Sequence, residues 1–264
     1  MDNPHQAELE RQVIELKEWV AKQPNVAKDM DDKLLRRFLH SCYYDTQKAQ
    51  KALEAFSTQR ADAAELFGDR DPLGSRVKQA FKWITLAFIP ISGNRRLWIF
   101  QVNDPGFQKF DHLEFNRLLL LAFDAWLLEE TSLQEEDLTL FDAKDIGWKI
   151  FWRIHLSIQK KTINYQEEAM PIRIKQMHMI NAPSFLDKLF SLLKPFMSKE
   201  MSEVIHFHAP KSDTLFEYFS KDDLPKEFGG NLASLETYNK EIIDLIHKHS
   251  DTLKNNDLWK TPKK

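Results

Sequence analysis

Cysteine, glycine and long apolar runs are scarce in this chain of 264 residues. Cys42 is the single cysteine, so no internal disulfide can form and we expect a reducing compartment. The seven glycines disfavour glycine-rich phosphate loops and all-β folds dense in turns. The longest apolar runs, such as 118–123, are too short to span a bilayer. A net charge of -3 gives no general attraction to nucleic acid or to an acidic membrane.

Catalytic motifs are also missing. The sequence has no G-x-S-x-G elbow, no Walker loop and no G-x-G-x-x-G. His206 and His208 share one face of a predicted strand, but no third metal ligand is convincingly placed beside them. The polar N-terminus has no apolar segment typical of a secretory signal. We therefore expect no enzyme, no metal and no cofactor, and a cytoplasmic protein.

The spacing of apolar residues predicts two domains. Leu9, Val13, Leu16 and Val20 recur at helical spacing, and three or four helices are predicted over residues 8–67. The turn signal Asp71-Pro72-Leu73-Gly74 marks a domain boundary, giving a helical domain at 1–74 and a larger domain at 75–264.

Strands and helices alternate in the larger domain. Strands are predicted at 84–89, 96–102, 138–142, 172–180 and 204–208. Helices are predicted at 113–128, 148–159, 164–170, 184–197 and 234–253. This alternation indicates an α/β fold with a largely parallel sheet.

The helix predicted at 184–197 has an unusually wide apolar face. A core helix needs one apolar stripe, whereas here only Ser184, Asp187, Lys188, Ser191 and Lys194 are polar and aligned. Such a helix is suited to covering a cavity for a hydrophobic molecule. The pattern alone favours a plain core over a cavity, and both interpretations stay open.

Five short segments in register resemble the CRAL-TRIO family of lipid-binding proteins. They are Ile180-Asn181-Ala182-Pro183, Lys194-Pro195-Phe196, His206-Phe207-His208, the LPKEFGG run at 224–230, and the helical leader LLRRFL at 34–39. The likeness is greatest to the branch with the α-tocopherol transfer protein and the cellular retinaldehyde-binding protein. It covers roughly residues 30–250. It implies a small N-terminal all-helical domain followed by a CRAL-TRIO lipid-binding domain, whose mostly parallel sheet is flanked by helices and closed by a mobile lid helix.

The resemblance also assigns a pocket. Its positions fall on Asn116, Leu119, Phe123, Leu140, Trp148, Trp152, Ile154, Thr162, Tyr165, Gln166 and Met177, and the lid adds Leu186, Leu189, Phe190, Leu193 and Met197. Phe123 and Tyr165 depart from the tocopherol-binding pattern, so we expect a reshaped pocket. Tyr165 and Gln166 are candidates for a hydrogen bond to an oxygenated head group, with rim polarity as the alternative.

A basic patch is the second assignment from the resemblance. Arg173 and Lys175 match a pair that contacts phosphoinositide head groups in the family, and Lys199 is a partial substitute for further basic residues. Glu200 and Val204 stand where relatives are basic, so the patch is incomplete.

The function implied is intracellular binding and transfer of a small tocopherol-, retinoid-, carotenoid- or isoprenoid-like ligand. The partners implied are that ligand and, transiently and reversibly, a membrane surface, without nucleic acid; we expect a monomer. One alternative is a phosphatidylinositol-type phospholipid transfer or signalling module. Another is an interaction scaffold whose pocket is filled by its own side chains.

Overall fold

The computed structural model describes residues 4–262, so the ends of the two predicted domains at 1–3 and 263–264 lie outside the described residues. Five helices come first: α1 (Pro4–Lys22), α2 (Asp32–Ser41), α3 (Thr46–Asp62), α4 (Ala64–Phe67) and α5 (Ser75–Ala80). The α/β part follows with β1 (Ile84–Ile91), β2 (Arg95–Val102), α6 (His112–Glu129), β3 (Glu136–Asp142), α7 (Ile150–Arg153), α8 (Leu156–Glu168), β4 (Ile174–Ile180), α9 (Leu186–Leu193), α10 (Lys199–Glu203), β5 (Ile205–Phe207), α11 (Leu235–Lys248) and α12 (Ser250–Leu253). Single 3-10 turns lie at Lys194–Phe196, Thr214–Glu217, Lys221–Asp223 and Lys226–Phe228.

The five strands form one sheet in the order β1-β2-β3-β4-β5. β1 and β2 are antiparallel, and every later pair is parallel, which confirms the predicted mixed α/β fold with a largely parallel sheet. The β1–β2 hairpin turns through Gly93 at φ 73° and Asn94 at φ 55°. Glycine and asparagine tolerate a positive φ best, so these residue types suit the last two positions of the three-residue turn at 92–94.

Two predicted helices are interrupted in the structure. The helix predicted at 148–159 breaks after α7, because Ile154 and His155 have extended backbones, and α8 then begins at Leu156. The helix predicted at 184–197 ends as α-helix at Leu193 and tightens into a 3-10 turn containing Pro195. Proline has no N–H to continue the helical hydrogen bonds.

The N-terminal helices are capped by aspartates and share a core with the rest of the chain. The carboxylate of Asp31 accepts from the Leu34 N–H at 2.8 Å, and that of Asp45 accepts from the Lys48 N–H at 3.1 Å. Leu16, Leu35 and Phe38 are fully buried in a hydrophobic cluster that continues into the α/β part. These helices are therefore packed against the sheet-bearing part through a shared core.

A buried ionic cluster joins the N-terminal helices to α6 and α8. Arg60 of α3 donates to both carboxylate oxygens of Asp124 at 3.0 and 2.6 Å, and to the Tyr165 hydroxyl at 2.8 Å. Arg70 lies 2.6 Å from the same carboxylate. Burial alone would raise the pKa of Asp124, but the two arginines outweigh burial and hold this pKa below its ordinary value.

Each face of the sheet has its own apolar layer. The face away from α6 packs Ile89, Ile99, Leu138 and Leu140 against residues of the C-terminal segment. Gly230 belongs to that segment, and a Cβ there would come within 1.9 Å of the Leu224 carbonyl oxygen. Gly230, the second glycine of the LPKEFGG run, is thus required by close backbone packing.

The buried cluster generates a prediction about stability. We expect Asp124→Asn to lower the free energy of unfolding by about 3–5 kcal/mol, because two buried guanidinium groups would lose their counter-charge. The lowered pKa means that the contribution of Asp124 is present above its unfolded-state pKa of about 3.9 and is lost as pH falls through the lower folded-state pKa. Urea unfolding at pH 7 measures the loss.

The control is the triple variant Arg60→Met, Arg70→Met and Asp124→Leu, which removes all three charges together. It should recover most of the stability that Asp124→Asn loses. A loss below about 1 kcal/mol for Asp124→Asn would contradict the importance of the cluster.

Candidate functional site

A cavity of about 270 Å³ lies between the sheet and helices α6, α8 and α9. Twenty-one of its twenty-seven lining residues are apolar. Its volume is near the lower end of the roughly 300–1,000 Å³ typical of small-molecule sites, and its composition is typical of them.

Alternation along the strands builds the floor of this cavity. Side chains at every second strand position point to the same face of a sheet. The floor residues are Phe88 of β1, Trp98 and Phe100 of β2, Thr139 and Phe141 of β3, and Met177 and Met179 of β4. Aromatic rings make most of this floor rigid, whereas the two methionines on β4 are flexible enough to adapt to a ligand.

Helix α6 forms the opposite wall. It begins with Asp111 as N-cap, whose carboxylate accepts from the backbone N–H groups of Leu113 and Glu114. Its cavity-facing residues include Phe115, Leu119 and Phe123. Phe123 stacks on Trp126 with ring centroids 5.5 Å apart, which fixes its position in the wall.

Helix α9 closes one side of the cavity with Leu186, Leu189 and Leu193. Leu186 and Leu189 are buried at 3% and 7% exposure. On the outer side Leu192 is 51% exposed. An eight-residue helix is too short to be stable by itself, so apolar contact with the cavity wall is what holds α9 in place.

The attachment of α9 is almost entirely apolar. Within residues 4–262, no hydrogen bond or ion pair joins the segment 183–197 to the rest of the chain. Both flanks, by contrast, are tied down: the Ala182 N–H donates to the His208 carbonyl at 2.9 Å, and the Ser198 N–H donates to Glu167 at 3.0 Å. The segment thus has hydrogen-bonded flanks, and its middle is held by side-chain packing that includes the Lys188 ammonium over the Trp148 ring.

Six polar side chains line the cavity, and the part of the lining that the structure describes includes no Lys, Arg, Asp or Glu. The six are His112, Asn116, Thr139, Gln159, Thr162 and Gln166. Gln159, Thr162 and Gln166 come from α8, where spacings of three and four place them on one face. Burial lowers the pKa of His112, so its ring is neutral at pH 7.

The structure brings ten of the sixteen predicted pocket residues together around this cavity. They are Asn116, Leu119, Phe123, Ile154, Thr162, Gln166, Met177, Leu186, Leu189 and Leu193. Whether they contact a ligand stays a prediction.

Six predicted pocket residues lie elsewhere. Leu140 faces the other side of the sheet, because it is one position from Thr139 along β3. Tyr165 points to Arg60 instead of a head group. Phe190 packs on Phe207 with ring centroids 5.5 Å apart. Met197 lies past the end of α9 and does not line the cavity.

Trp148 and Trp152 are on the surface, at 58% and 89% exposure. The break between α7 and α8 turns this segment outward, so that only Ile150 and Ile154 from it reach the cavity. Trp148 stacks on Phe185 at the start of α9, with ring centroids 4.4 Å apart. This places two exposed aromatic residues beside the helix that closes the cavity.

The sequence interpretation missed several lining residues. The floor residues of β1 and β2, together with His112 and Gln159, were not predicted. Alternation along the predicted hairpin was the available signal for Phe88, Trp98 and Phe100. No sequence pattern pairs His112 with Gln159, because they are 47 positions apart and meet only in the folded chain.

Each of the three predicted basic residues already contacts a partner within the protein. Arg173 is buried, donates from Nε to the His40 carbonyl at 2.9 Å and pairs with Glu135. Lys175 donates to the Tyr43 hydroxyl at 2.6 Å, and both cations lie over the Tyr43 ring. Lys199 is 82% exposed and 3.7 Å from Glu203. Arg173 thus connects the N-terminal helices to the sheet, and a phosphoinositide role for the three stays a prediction.

His178 hydrogen-bonds to His208 and stacks on His206. His178 Nδ1 is 2.9 Å from His208 Nε2, and burial together with the other two histidines lowers the pKa of His178 to about 3. Among residues 4–262, no group of three or more His, Cys, Asp or Glu side chains is placed to hold a metal ion. Nor does any helix in that range have the length and apolar character needed to cross a membrane.

Comparison with known proteins agrees with this architecture. The family model for the CRAL/TRIO domain matches residues 92–230, and that for a Pinta-like UBA domain matches residues 5–77. The human alpha-tocopherol transfer protein-like protein is 25% identical over 230 residues, which cover 86% of this chain and 67% of that protein. Human clavesin-2 is 23% identical over 264 residues, covering 97% and 80%.

A solved structure shows the same fold. The crystal structure of Sfh5 superposes with a TM-score of 0.55 at 15% identity, covering 96% of this chain and 99% of that one. The CRAL/TRIO match alone spans more than half of the chain. The resemblance seen in the short sequence segments is therefore confirmed, and the chain belongs to the CRAL/TRIO domain family, a family of lipid-binding and lipid-transfer proteins.

Proposed function

We propose that this protein is a non-enzymatic carrier that binds a small hydrophobic, isoprenoid-like ligand in the cavity and transfers it between membranes. The observation that carries the proposal is the cavity itself, which is walled by apolar side chains and covered on one side by α9. Each CH₂ group that leaves water for such a site contributes about 0.8 kcal/mol. A ligand with many such groups would be held firmly while the cavity stays closed.

Helix α9 is the proposed lid. Its contacts with the cavity wall are apolar, and a bilayer offers its leucines the same kind of burial. Opening at a membrane would therefore cost much less than opening in water. The hydrogen-bonded flanks at Ala182 and Ser198 would act as the hinges.

The exposed tryptophans are the proposed membrane contact. Tryptophan is favoured at the boundary between water and lipid, because its ring has an apolar body and a polar N–H. Trp152 is free to insert, and Trp148 links the same segment to the base of α9 through Phe185. Membrane docking by Trp152 would thus act beside the lid. A cytoplasmic, monomeric carrier that binds membranes reversibly stays our expectation.

Phospholipid transfer is the second candidate, and the uncharged cavity disfavours it. A phosphate group inside would have no cation among the lining residues that the structure describes. Phosphoinositide recognition, if present, would use the outer surface near Lys175.

Filling the cavity tests the carrier proposal. We expect Leu119→Trp, alone and combined with Met177→Phe, to lower the amount of lipid that copurifies after incubation with a total lipid extract by about tenfold or more, because the larger side chains occupy the ligand's space. Native mass spectrometry of the repurified protein measures the bound fraction.

The matched control is Leu73→Trp, which adds the same ring at a partly exposed turn outside the cavity. It should bind lipid like the wild type. Equal lipid binding by the wild type and the cavity-filled variants, all with native circular dichroism, would overturn the proposal, and so would a wild-type protein that stays empty.

Hydrogen exchange tests the lid and the docking residue together. We expect phosphatidylcholine vesicles to speed amide exchange in α9 of the wild type and to leave the core of α6 unchanged. Trp152→Ala should reduce this effect and weaken vesicle binding by about 3- to 10-fold, because one large interfacial aromatic is lost. Ile14→Ala, at an exposed apolar residue of α1, is the control. Equal protection of α9 with and without vesicles would contradict the lid.

A further inference from the structure

The polar groups of the cavity are concentrated at α8. Gln159, Thr162 and Gln166 line the cavity from one face of that helix, and His112 lies against the first of them. We infer that this cavity selects an uncharged lipid with a hydrogen-bond acceptor oxygen at one end, and that the Gln159 amide, oriented by His112, is the group that binds this oxygen. The inference rests on the proposed carrier function and specifies its ligand class.

The hydrogen bonds of His112 define which of its nitrogens carries the proton. Its Nδ1 accepts from the backbone N–H of His155 at 3.3 Å. A neutral imidazole has one donor and one acceptor, so Nε2 must be the protonated nitrogen. Nε2 lies 2.8 Å from Gln159 Oε1 and therefore donates to it. His112 is 3% exposed, so its ring is shielded from water.

Gln159 lines the cavity, and its hydrogen bond with His112 uses the carbonyl oxygen of its amide. One lone pair of Oε1 accepts from the imidazole, whereas both hydrogens of the side-chain NH₂ remain for a ligand. This NH₂ makes no hydrogen bond to any residue in the described range 4–262. An amide NH₂ donates and cannot accept, so it recognises a carbonyl, hydroxyl or ether oxygen.

The other polar groups of the cavity add to the preference for an uncharged acceptor oxygen. The Thr162 hydroxyl donates to the Ile158 carbonyl at 3.1 Å, and Asn116 Nδ2 donates to the His112 carbonyl at 2.8 Å. Gln166 makes no hydrogen bond to the described residues and offers a second, unoriented amide. A carboxylate or phosphate would meet no cationic side chain here, and burying an uncompensated charge is expensive. The site thus favours an acceptor without charge.

Head-group variants of one skeleton test the selectivity of the wild type. The probes are retinal, retinoate and the oxygen-free hydrocarbon axerophtene, with geranylgeranial, geranylgeranoate and the matching hydrocarbon as a flexible second set. Dissociation constants come from quenching of tryptophan fluorescence, since Trp98 lines the cavity. We expect the aldehyde to bind about 3- to 10-fold more tightly than the hydrocarbon, as one net hydrogen bond allows, and the carboxylate to bind weakest.

Variants on α8 test the role of Gln159. Gln159→Leu should bring the aldehyde-to-hydrocarbon affinity ratio close to one. Gln166→Leu is the same change on the same helix and should keep most of the ratio, because no partner orients Gln166. Gln159→Glu keeps an oxygen that accepts from His112 but replaces the NH₂ with a second acceptor oxygen. The hydroxyl of retinol can donate to that oxygen and the aldehyde of retinal cannot, so this variant should bind retinol more tightly than retinal. A merely destabilised fold would weaken all probes alike and leave these ratios unchanged.

Three results would overturn the inference. If the wild type binds aldehyde and hydrocarbon equally, or the carboxylate most tightly, the head-group assignment is wrong while the carrier function stands. If Gln159→Leu leaves the aldehyde-to-hydrocarbon ratio of the wild type unchanged, another group recognises the oxygen. If no probe binds to a protein that also stays empty in a total lipid extract, the carrier function itself has failed.

Discussion

The structure depends on a sheet that is apolar on both faces but completely packed on only one. On the face that includes Leu140, the C-terminal segment packs directly onto the strands. On the other face, large rings from Phe88, Trp98 and Phe141 meet helices that leave about 270 Å³ between them. Empty apolar space forfeits dispersion contacts, so such a cavity costs stability unless something occupies it. A bound hydrophobic ligand would restore these contacts, so ligand binding would also stabilise the fold.

The buried ionic cluster explains how the helical wall keeps its place around that space. Tyr165 on α8 and Asp124 on α6 are both bound by Arg60 of α3, so the two helices are anchored from outside the cavity. Tyr165 anchors α8, and Gln159 and Gln166 on the same helix line the cavity. The N-terminal helices thus brace the walls on which a ligand site depends. Among the helices that line the cavity in the described part of the chain, α9 is the one without a hydrogen bond or ion pair to another element, and it is the element proposed to move.

Sequence periodicity and short motifs predicted the fold well, and the site only in outline. Alternating strand and helix patterns lead directly to the parallel sheet, and the wide apolar face of 184–197 marks the helix that closes the cavity. Matching sequence positions to the pocket positions of the family could not predict where the side chains of Trp148, Trp152 and Tyr165 lie. The break at Ile154 and His155 turns the tryptophans outward, and a buried arginine from another helix draws Tyr165 away. Long-range pairs such as His112 and Gln159 leave no periodic signal at all.

The most direct test of the account is a crystal structure of the protein repurified after exposure to a total lipid extract. The account predicts continuous density for one elongated, uncharged molecule between Trp98, Leu119 and Leu189, with an oxygen within hydrogen-bond distance of the Gln159 side chain. A cavity filled by rearranged side chains of the protein, or a lipid bound only on the outer surface beside Trp152, would contradict it.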